Sequence, residues 1–373
     1  MLEKNMKKSI ILICNFLNFL RTNFSTNDYI FYSEKLFYKN YYFEFFEALS
    51  KKSKKCYLLT SDIHEYNDIK KISNQVFYIG DGVLKVVILN IINCNFFFTT
   101  MPGIGNNIRK SIYCKNYVYF FHALASTHKI YKDKSFDNFD IIFTNGNYQK
   151  IELEERFTKK NIEKKKIVNT GYFYLDFLKN FFQDKNENYI LFAPSWNYNK
   201  KNLFNDFGID IIKNLLKNNN KVILRPHPEI IKRDNHVYKK TINYFNNDKN
   251  FLLDLNSSNI ESLKKSKLII TDNSSISLEF GLIFYRPTIY IDYKDKIHNS
   301  EYNIISSKPF EDKFREIFGF HIKSDELNQL SSLVEKINYL DNQKINEFRG
   351  KYLSNFENSV KVAVNYILNQ KNI

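Results

Sequence analysis

Short apolar runs alternate with longer amphipathic segments along most of the chain, the pattern that βαβ units folded on parallel sheets produce. In the first half the runs Ile10–Cys14, Cys56–Thr60, Val76–Ile79, Phe96–Thr100, Tyr117–Phe121, Ile141–Thr144 and Ile167–Asn169 predict strands, with helices between them. The aromatic stretch Phe31–Leu49 reads as a stripe packed on the sheet, with a membrane-surface helix as the alternative. In the second half strands are predicted at Tyr189–Phe192, Lys221–Leu224, Phe251–Leu253, Leu268–Thr271 and Thr288–Ile291. Helices are predicted around Phe207–Lys217, Val237–Phe245, Ile260–Lys264 and Ser275–Phe284, and Leu327–Leu368 is mostly helical in pattern.

The polar stretch Gln183–Asn188 reads as a linker between the two cycles. The expected fold is therefore α/β, with two Rossmann-like domains in tandem at 1–183 and 184–340. A C-terminal helix over 341–373 is expected to pack back on the first domain. Tandem domains of this kind resemble transferases of the GT-B type, in which donor and acceptor meet between the domains. Ligands bind beyond the carboxyl ends of the strands in such sheets, so residues directly after strands are the first candidates for chemistry.

Ser9–Leu20 follows Lys7 and Lys8 and superficially suggests a signal peptide with Cys14 as a lipidation site. Ile13 is too bulky for cleavage, Asn15 and Asn18 interrupt the run, and no A-x-A follows. The run is also too short to span a bilayer. It reads as the first buried strand, preceded by a leader before Met6.

A length of 373 residues agrees with two cores rather than one. Apolar residues make up 43% of the chain and aromatics 17%, too much for a disordered polymer. The net charge of +15 admits an anionic partner, but Lys, Asn, Ile, Phe and Tyr are enriched together, as under an AT-rich genome. Basic runs such as Lys164-Lys165-Lys166 are short and read as solvated faces. Cys14, Cys56, Cys94 and Cys114 are widely spaced, without zinc spacing, which fits a reducing compartment.

The sharpest local signal is Arg225-Pro226-His227-Pro228, directly after a predicted strand. The prolines fix the turn, Arg225 can fork onto phosphate oxygens, and His227 can donate to them or move a proton. The plainer alternative is a rigid loop whose imidazole caps a backbone group. The second signal, Thr271-Asp272-Asn273-Ser274-Ser275, leaves a strand and opens a helix that carries Glu279. Asp272, Ser274 and Ser275 suit a phosphate site at a helix start, and Glu279 could accept from ribose hydroxyls. An ordinary capped helix is the alternative. The third is Phe121-His122, followed by Ser126-Thr127-His128, where His122 suits a general base and His128 an acceptor contact. The loops Met101–Asn106 and Thr144–Asn147, the latter with Asn145 and Gly146, also leave strands and could shape the acceptor side, or serve only as turns.

Phe121-His122, Ser126-Thr127-His128, Ser135-Phe136-Asp137, Phe139-Asp140, Asn145-Gly146, the RPHP turn, the Thr271–Ser275 turn and Arg286-Pro287 together resemble the CDP-glycerol glycerophosphotransferases over residues 90 to 295. The resemblance implies a CDP-linked donor, His122 as general base, and donor phosphate contacts from Arg225, His227, Ser274 and Ser275. The acceptor it implies is a cell-surface polymer or its lipid-linked precursor. Members that act on teichoic acid commonly carry Trp-His-Gly where this chain has Phe121-His122-Ala123, which leaves the acceptor open. Without the long amino-terminal region of polymerising members, a single-addition or priming enzyme is the expected type.

No DxD or carboxylate cluster stands at the strand exits, so no obligatory metal and no cofactor are expected. The nearest rivals are a glycosyltransferase using a CMP- or UDP-sugar in capsule or lipopolysaccharide synthesis, and a nucleotide-sugar epimerase. A non-catalytic basic binding module is the rival of another class, but positive residues are scattered among acids and no nucleic-acid-binding motif emerges. The expected location is the cytoplasm, with loose attachment to an anionic membrane surface.

Overall fold

The computed structural model describes residues 2–23, 27–106, 108–182, 188–197 and 202–370. Most of the predicted linker, 183–187, lies outside them. The chain forms two units, one of Met1–His122, Tyr131–Asp176 and Leu353–Ile373, the other of Ala123–Ile130 and Phe177–Tyr352.

The first unit is built on a parallel sheet of β1 (Asn27–Ser33), β2 (Cys56–Thr60), β3 (Val76–Tyr78), β4 (Cys94–Thr99), β5 (Cys114–Phe120), β6 (Ile141–Thr144) and β7 (Lys166–Asn169). Their order is β3-β2-β1-β4-β5-β6-β7. The sheet starts at β1, grows outward to β3, then returns beside β1 to lay down β4. Strand order reverses between β1 and β4, and the core beneath is aromatic: Phe31 stacks on Phe98 with ring centroids 4.6 Å apart, and Phe45 meets both edge-on.

The expectation of a first strand at Ile10–Cys14 is wrong. That run lies in the helix Leu2–Asn23, and the first strand is β1. The apolar positions conceal a helical period. Ile11, Leu12, Asn15, Phe16, Phe19 and Leu20 are at least partly buried, whereas Ile10, Ile13, Cys14 and Leu17 are exposed. Asn15, which interrupts the run, docks the helix: its Nδ2 donates to Ile11 O (2.8 Å) and its Oδ1 accepts from Tyr78 N (3.0 Å) on the edge strand β3. The Phe31–Leu49 stripe likewise divides, between β1 and the helix Lys39–Ser50, which buries Tyr41, Tyr42, Phe45, Phe46 and Leu49.

The C-terminal helix Ser359–Gln370 places Ala363, Val364 and Ile367 in this same core. Its approach depends on Gly171 at φ +98°, where a Cβ would collide with Ser354 O.

The second unit carries β8 (Tyr189–Phe192), β9 (Lys221–Leu224), β10 (Phe251–Leu253), β11 (Ser266–Thr271), β12 (Thr288–Asp292) and β13 (Gly319–Lys323), all parallel, in the order β10-β9-β8-β11-β12-β13. Here the order reverses between β8 and β11. The strand β13 is not among the expected strands: Gly319, His321 and Lys323 break its apolar run, and only Ile322 is buried, as suits an edge.

Arg286, part of the family resemblance, is a structural clamp. Its Nη1 donates to Leu263 O (3.0 Å), Lys264 O (3.0 Å) and Ser266 O (2.8 Å), while the guanidinium lies over Phe280 and Phe284. Arg286→Met is expected to destabilise this unit by about 2–4 kcal/mol, since it removes three charge-assisted hydrogen bonds to carbonyls that are buried or partly buried. The check is the urea midpoint followed by fluorescence of Trp196, the chain's single tryptophan, which is buried in the same unit.

Candidate active site

The point where strand order reverses opens a crevice at the carboxyl ends of the strands, because the connections on either side leave in opposite directions. In the second unit that point lies between Phe192 and Thr271. It is closed by a clasp: Asp272 Oδ1 accepts from Ser195 N (2.7 Å), Oδ2 accepts from Ser195 Oγ (2.8 Å), and Thr271 Oγ1 donates to Ala193 O (2.6 Å). Both carboxylate oxygens of the buried Asp272 thus hold the loop that leaves β8.

That loop presents Trp196. Its ring stacks on His227 at 21° with centroids 6.4 Å apart, and the Arg233 guanidinium sits 5.2 Å from the Trp196 ring. His227 is the N-cap of the helix Pro228–Arg233, and its Nδ1 accepts from Glu229 N (3.2 Å). The imidazole does cap a backbone group. In doing so it places the proton of the neutral ring on Nε2, which becomes a donor.

Arg225 is paired with Asp254 at 2.6 Å, and both side chains are about nine-tenths buried, at 11% and 9% exposure. Burial raises the Asp254 carboxyl, but the Ser262 hydroxyl, the Arg225 charge and Asn256 N outweigh it and hold the group below its usual range. The exits of β9 and β10 are joined by this pair.

The helix Ile276–Phe284 begins after β11. Tyr290 OH donates to Ser277 Oγ (3.0 Å), which donates to Ser274 O (2.7 Å), and Arg315 donates to Asn273 Oδ1, so the preceding turn is held from two sides. Ser274 and Ser275 are partly buried, and among the described residues neither donates a hydrogen bond from its backbone or its hydroxyl. Two N–H groups and two hydroxyls therefore stand at the positive end of a helix dipole. Glu279 is buried within the helix, 2% exposed.

In the first unit His122 follows β5, and its Nδ1 lies 3.1 Å from Thr100 O at the exit of β4. A carbonyl only accepts, so Nδ1 carries the proton and Nε2 is the basic nitrogen. The Tyr38 and Tyr41 rings meet the imidazole edge-on at 5.1 and 6.2 Å. His122 thus stands beside the strand-order reversal of its own sheet.

The segment Ala123–Ile130 belongs to the second unit. Ser126 N and Oγ both donate to Glu311 (2.8 Å each), Lys129 pairs with Asp312 (2.8 Å), and His128 O accepts from Asn299 Nδ2 (3.0 Å). Ser126, Thr127 and His128 are buried. Asn145 N donates to Gln149 Oε1 (2.8 Å) and Asn145 O accepts from Ser354 N (3.0 Å), while Gly146 caps the helix Asn147–Lys159. In the Met101–Asn106 loop Gly103 and Gly105 adopt φ +78° and +86° and form turns, with Gly103 N bonded to Ser135 O (2.8 Å). Asp137 pairs with Arg156 (2.5 Å), and Asp140 accepts from Tyr117 N (2.7 Å). These motif carboxylates are clamps.

Residues 123–351, more than half of the chain, match the family model described as CDP-Glycerol:Poly(glycerophosphate) glycerophosphotransferase. The chain belongs to this glycerophosphotransferase family. It is accordingly a transferase of the CDP-glycerol type in cell-wall polymer synthesis, with a CDP-linked donor and a polymer acceptor. A search of curated proteins finds no match. Among solved structures, the wall teichoic acid polymerase TagF with CDPG superposes with a TM-score of 0.61 at 14% identity, covering 99% of this chain and 96% of that one. The UDP-GlcNAc 2-epimerase from Neisseria meningitidis bound to UDP-GlcNAc gives 0.61 at 12% identity, covering 92% and 100%. At such identities the likeness is one of fold, and it agrees with the expected pair of parallel-sheet α/β domains of GT-B type.

Sequence reasoning toward this glycerophosphotransferase missed Ser195, Trp196, Arg315 and Glu311. Trp196 had a usable signal, since the single tryptophan lies just beyond β8. Arg315 and Glu311 had none, because their partners are distant in sequence.

The Arg225–Asp254 pair yields a pH-dependent expectation. Asp254→Asn should cost about 3 kcal/mol near pH 7, the scale for breaking a buried pair. A carboxyl held low stabilises the fold above its unfolded value of about 3.9 and loses that effect as pH falls through its lower folded value. The difference between Asp254→Asn and wild type should therefore shrink below about pH 4, as read from urea unfolding across that range.

Proposed function

We propose that the strand exits of the second unit bind the diphosphate of the CDP-linked donor and that His122 is the general base. The observation that carries this reading is the pair of opposite histidine tautomers. His227 offers an N–H at Nε2, suited to a phosphate oxygen, whereas His122 offers a basic Nε2, suited to a hydroxyl proton. Ser274 and Ser275 supply further donors at a helix start, and Arg225 adds a fixed charge. Asp272 contributes by holding Ser195, and the buried Glu279 supports the helix from which the serines are presented.

In the proposed reaction the acceptor hydroxyl attacks the β-phosphorus while His122 takes its proton. The new oxygen–phosphorus bond forms as the bond to the bridging oxygen breaks, and the electron pair leaves with CMP. Negative charge grows on the bridging and α-phosphate oxygens, where Arg225, His227 and the helix end would stabilise it. Ser126, Thr127 and His128 are assigned to shaping the acceptor side through the segment that follows His122, and Asn145 and Gly146 to supporting the first unit's exit loops. The transferred group is glycerol phosphate, delivered to a hydroxyl of a cell-surface polymer or its lipid-linked precursor.

The proposed location is the cytoplasmic face of the membrane, without nucleic acid as a partner. Among the described residues no helix is long and apolar enough to cross a membrane. Ile10, Ile13 and Leu17 are exposed on one helix, and Val83, Val86 and Val87 on another of the same unit. With a charge of +15 they suit an anionic lipid surface.

Two measurements test these assignments. Calorimetric titration of CDP should show His227→Ala and Ser274→Ala each weakened by about 1.5–3 kcal/mol. His122→Ala should keep near-normal donor affinity and lose roughly 10²- to 10⁴-fold in CMP release. Normal turnover in His122→Ala would remove it as the base. Separately, the protein should sediment with vesicles containing anionic lipid and be released by high salt, and retention after both salt and alkaline washing would contradict a peripheral attachment.

A further inference from the structure

The loops of the second unit converge on a residue that no motif marks. Lys296 lies in the segment leaving β12, and that segment is pinned on both sides of it. Asn273 Nδ2 donates to Lys294 O (3.0 Å) and Asn197 Nδ2 to Asp295 O (3.4 Å). Beyond Lys296, His298 N donates to Lys129 O (3.0 Å) and Asn299 Nδ2 to His128 O (3.0 Å). The backbone here is thus tied to the exits of β8 and β11 and to the segment Ala123–Ile130.

The side chain is half-buried. Its charge feels Asp272 and Glu311, yet both carboxylates already accept two hydrogen bonds, from Ser195 and Ser126 respectively. Among the described residues the Lys296 ammonium makes no hydrogen bond and no ion pair. Burial pushes its pKa down, and the two carboxylates offset this only in part. Ammonium groups withdrawn from water without hydrogen-bonding partners are costly and uncommon. A cost of this kind is retained where an anion relieves it.

We propose that Lys296 is a phosphate-binding residue, contributing its ammonium to the diphosphate of the nucleotide donor beside Ser274 and Ser275. The proposal rests on the second-unit site being the donor site. Asp272, one of the two carboxylates that Lys296 feels, precedes Ser274 on the same turn. A diphosphate has enough charge and oxygen atoms to meet the lysine and the serine donors together, which a single carboxylate does not. Lys is suited to such a role as a mobile point charge.

The test titrates CDP into wild type, Lys296→Met and Lys296→Arg by calorimetry, with cytidine followed by ligand-detected NMR. Lys296→Met should weaken CDP about 10- to 100-fold, the range of a lost charge-assisted bond, and leave cytidine binding unchanged, while Lys296→Arg should keep most of the CDP affinity. Equal CDP affinity in Lys296→Met and wild type overturns the role of Lys296 and leaves the donor site standing. Equal loss of CDP and cytidine overturns it as well, marking a structural role. Wild type that ignores CDP but binds UDP, GDP or ADP, with the loss in Lys296→Met, overturns the cytidine assignment and upholds Lys296. Absence of binding to every diphosphate overturns both. A measurement on wild type alone is reductive methylation read by mass spectrometry: saturating CDP should protect Lys296 and cytidine should not, and equal labelling in both overturns the proposal even if a variant fails to fold.

Discussion

The clasp between Asp272 and Ser195 is the interaction on which the second unit's site depends. Parallel strands place all their carboxyl ends on one edge, and a reversal of strand order forces the adjoining connections apart at that edge. The gap between β8 and β11 is where the chain would splay. Two hydrogen bonds to one buried carboxylate close it at the backbone and leave the side chains above it in fixed positions. Trp196 is placed by the clasp, His227 by Trp196, and the start of the helix Ile276–Phe284 by the same turn.

The two histidines show how a backbone decides chemistry. Each ring directs Nδ1 at the main chain, and what it meets there determines the role of Nε2. Thr100 O accepts a proton from His122, and Glu229 N gives one to His227. Identical side chains thus present a basic nitrogen in one case and an N–H in the other, through the exits of different strands, with no change in residue type.

Several arginines of this protein are structural. Arg286 and Arg156 are surrounded by carbonyls or carboxylates and hold segments together, and Arg225 shares that character through Asp254. The forks of Arg286 and Arg156 are taken up within the fold. Lys296 differs, being half-buried near carboxylates that already have other partners. The net charge of +15 conceals this distinction entirely.

Much was legible in the chain itself. The alternation of short apolar runs located β2, β6, β8, β9 and β10 to the residue, because the strands of helix-covered parallel sheets are largely apolar. Position directly after a predicted strand singled out His122, His227 and the Ser274–Ser275 turn, and each does follow the carboxyl end of a parallel strand. What failed was the run at Ile10–Cys14, where a short apolar stretch has the same composition whether it is buried on two faces or on one. Docking of Asn15 on Tyr78 N, across a long loop of sequence, made it a helix. Only the tertiary structure could assign Asp272 to Ser195, Ser126 to Glu311 and each imidazole its tautomer. Those choices depend on partners that are remote along the chain and adjacent in space, and local residue pattern carries no record of them.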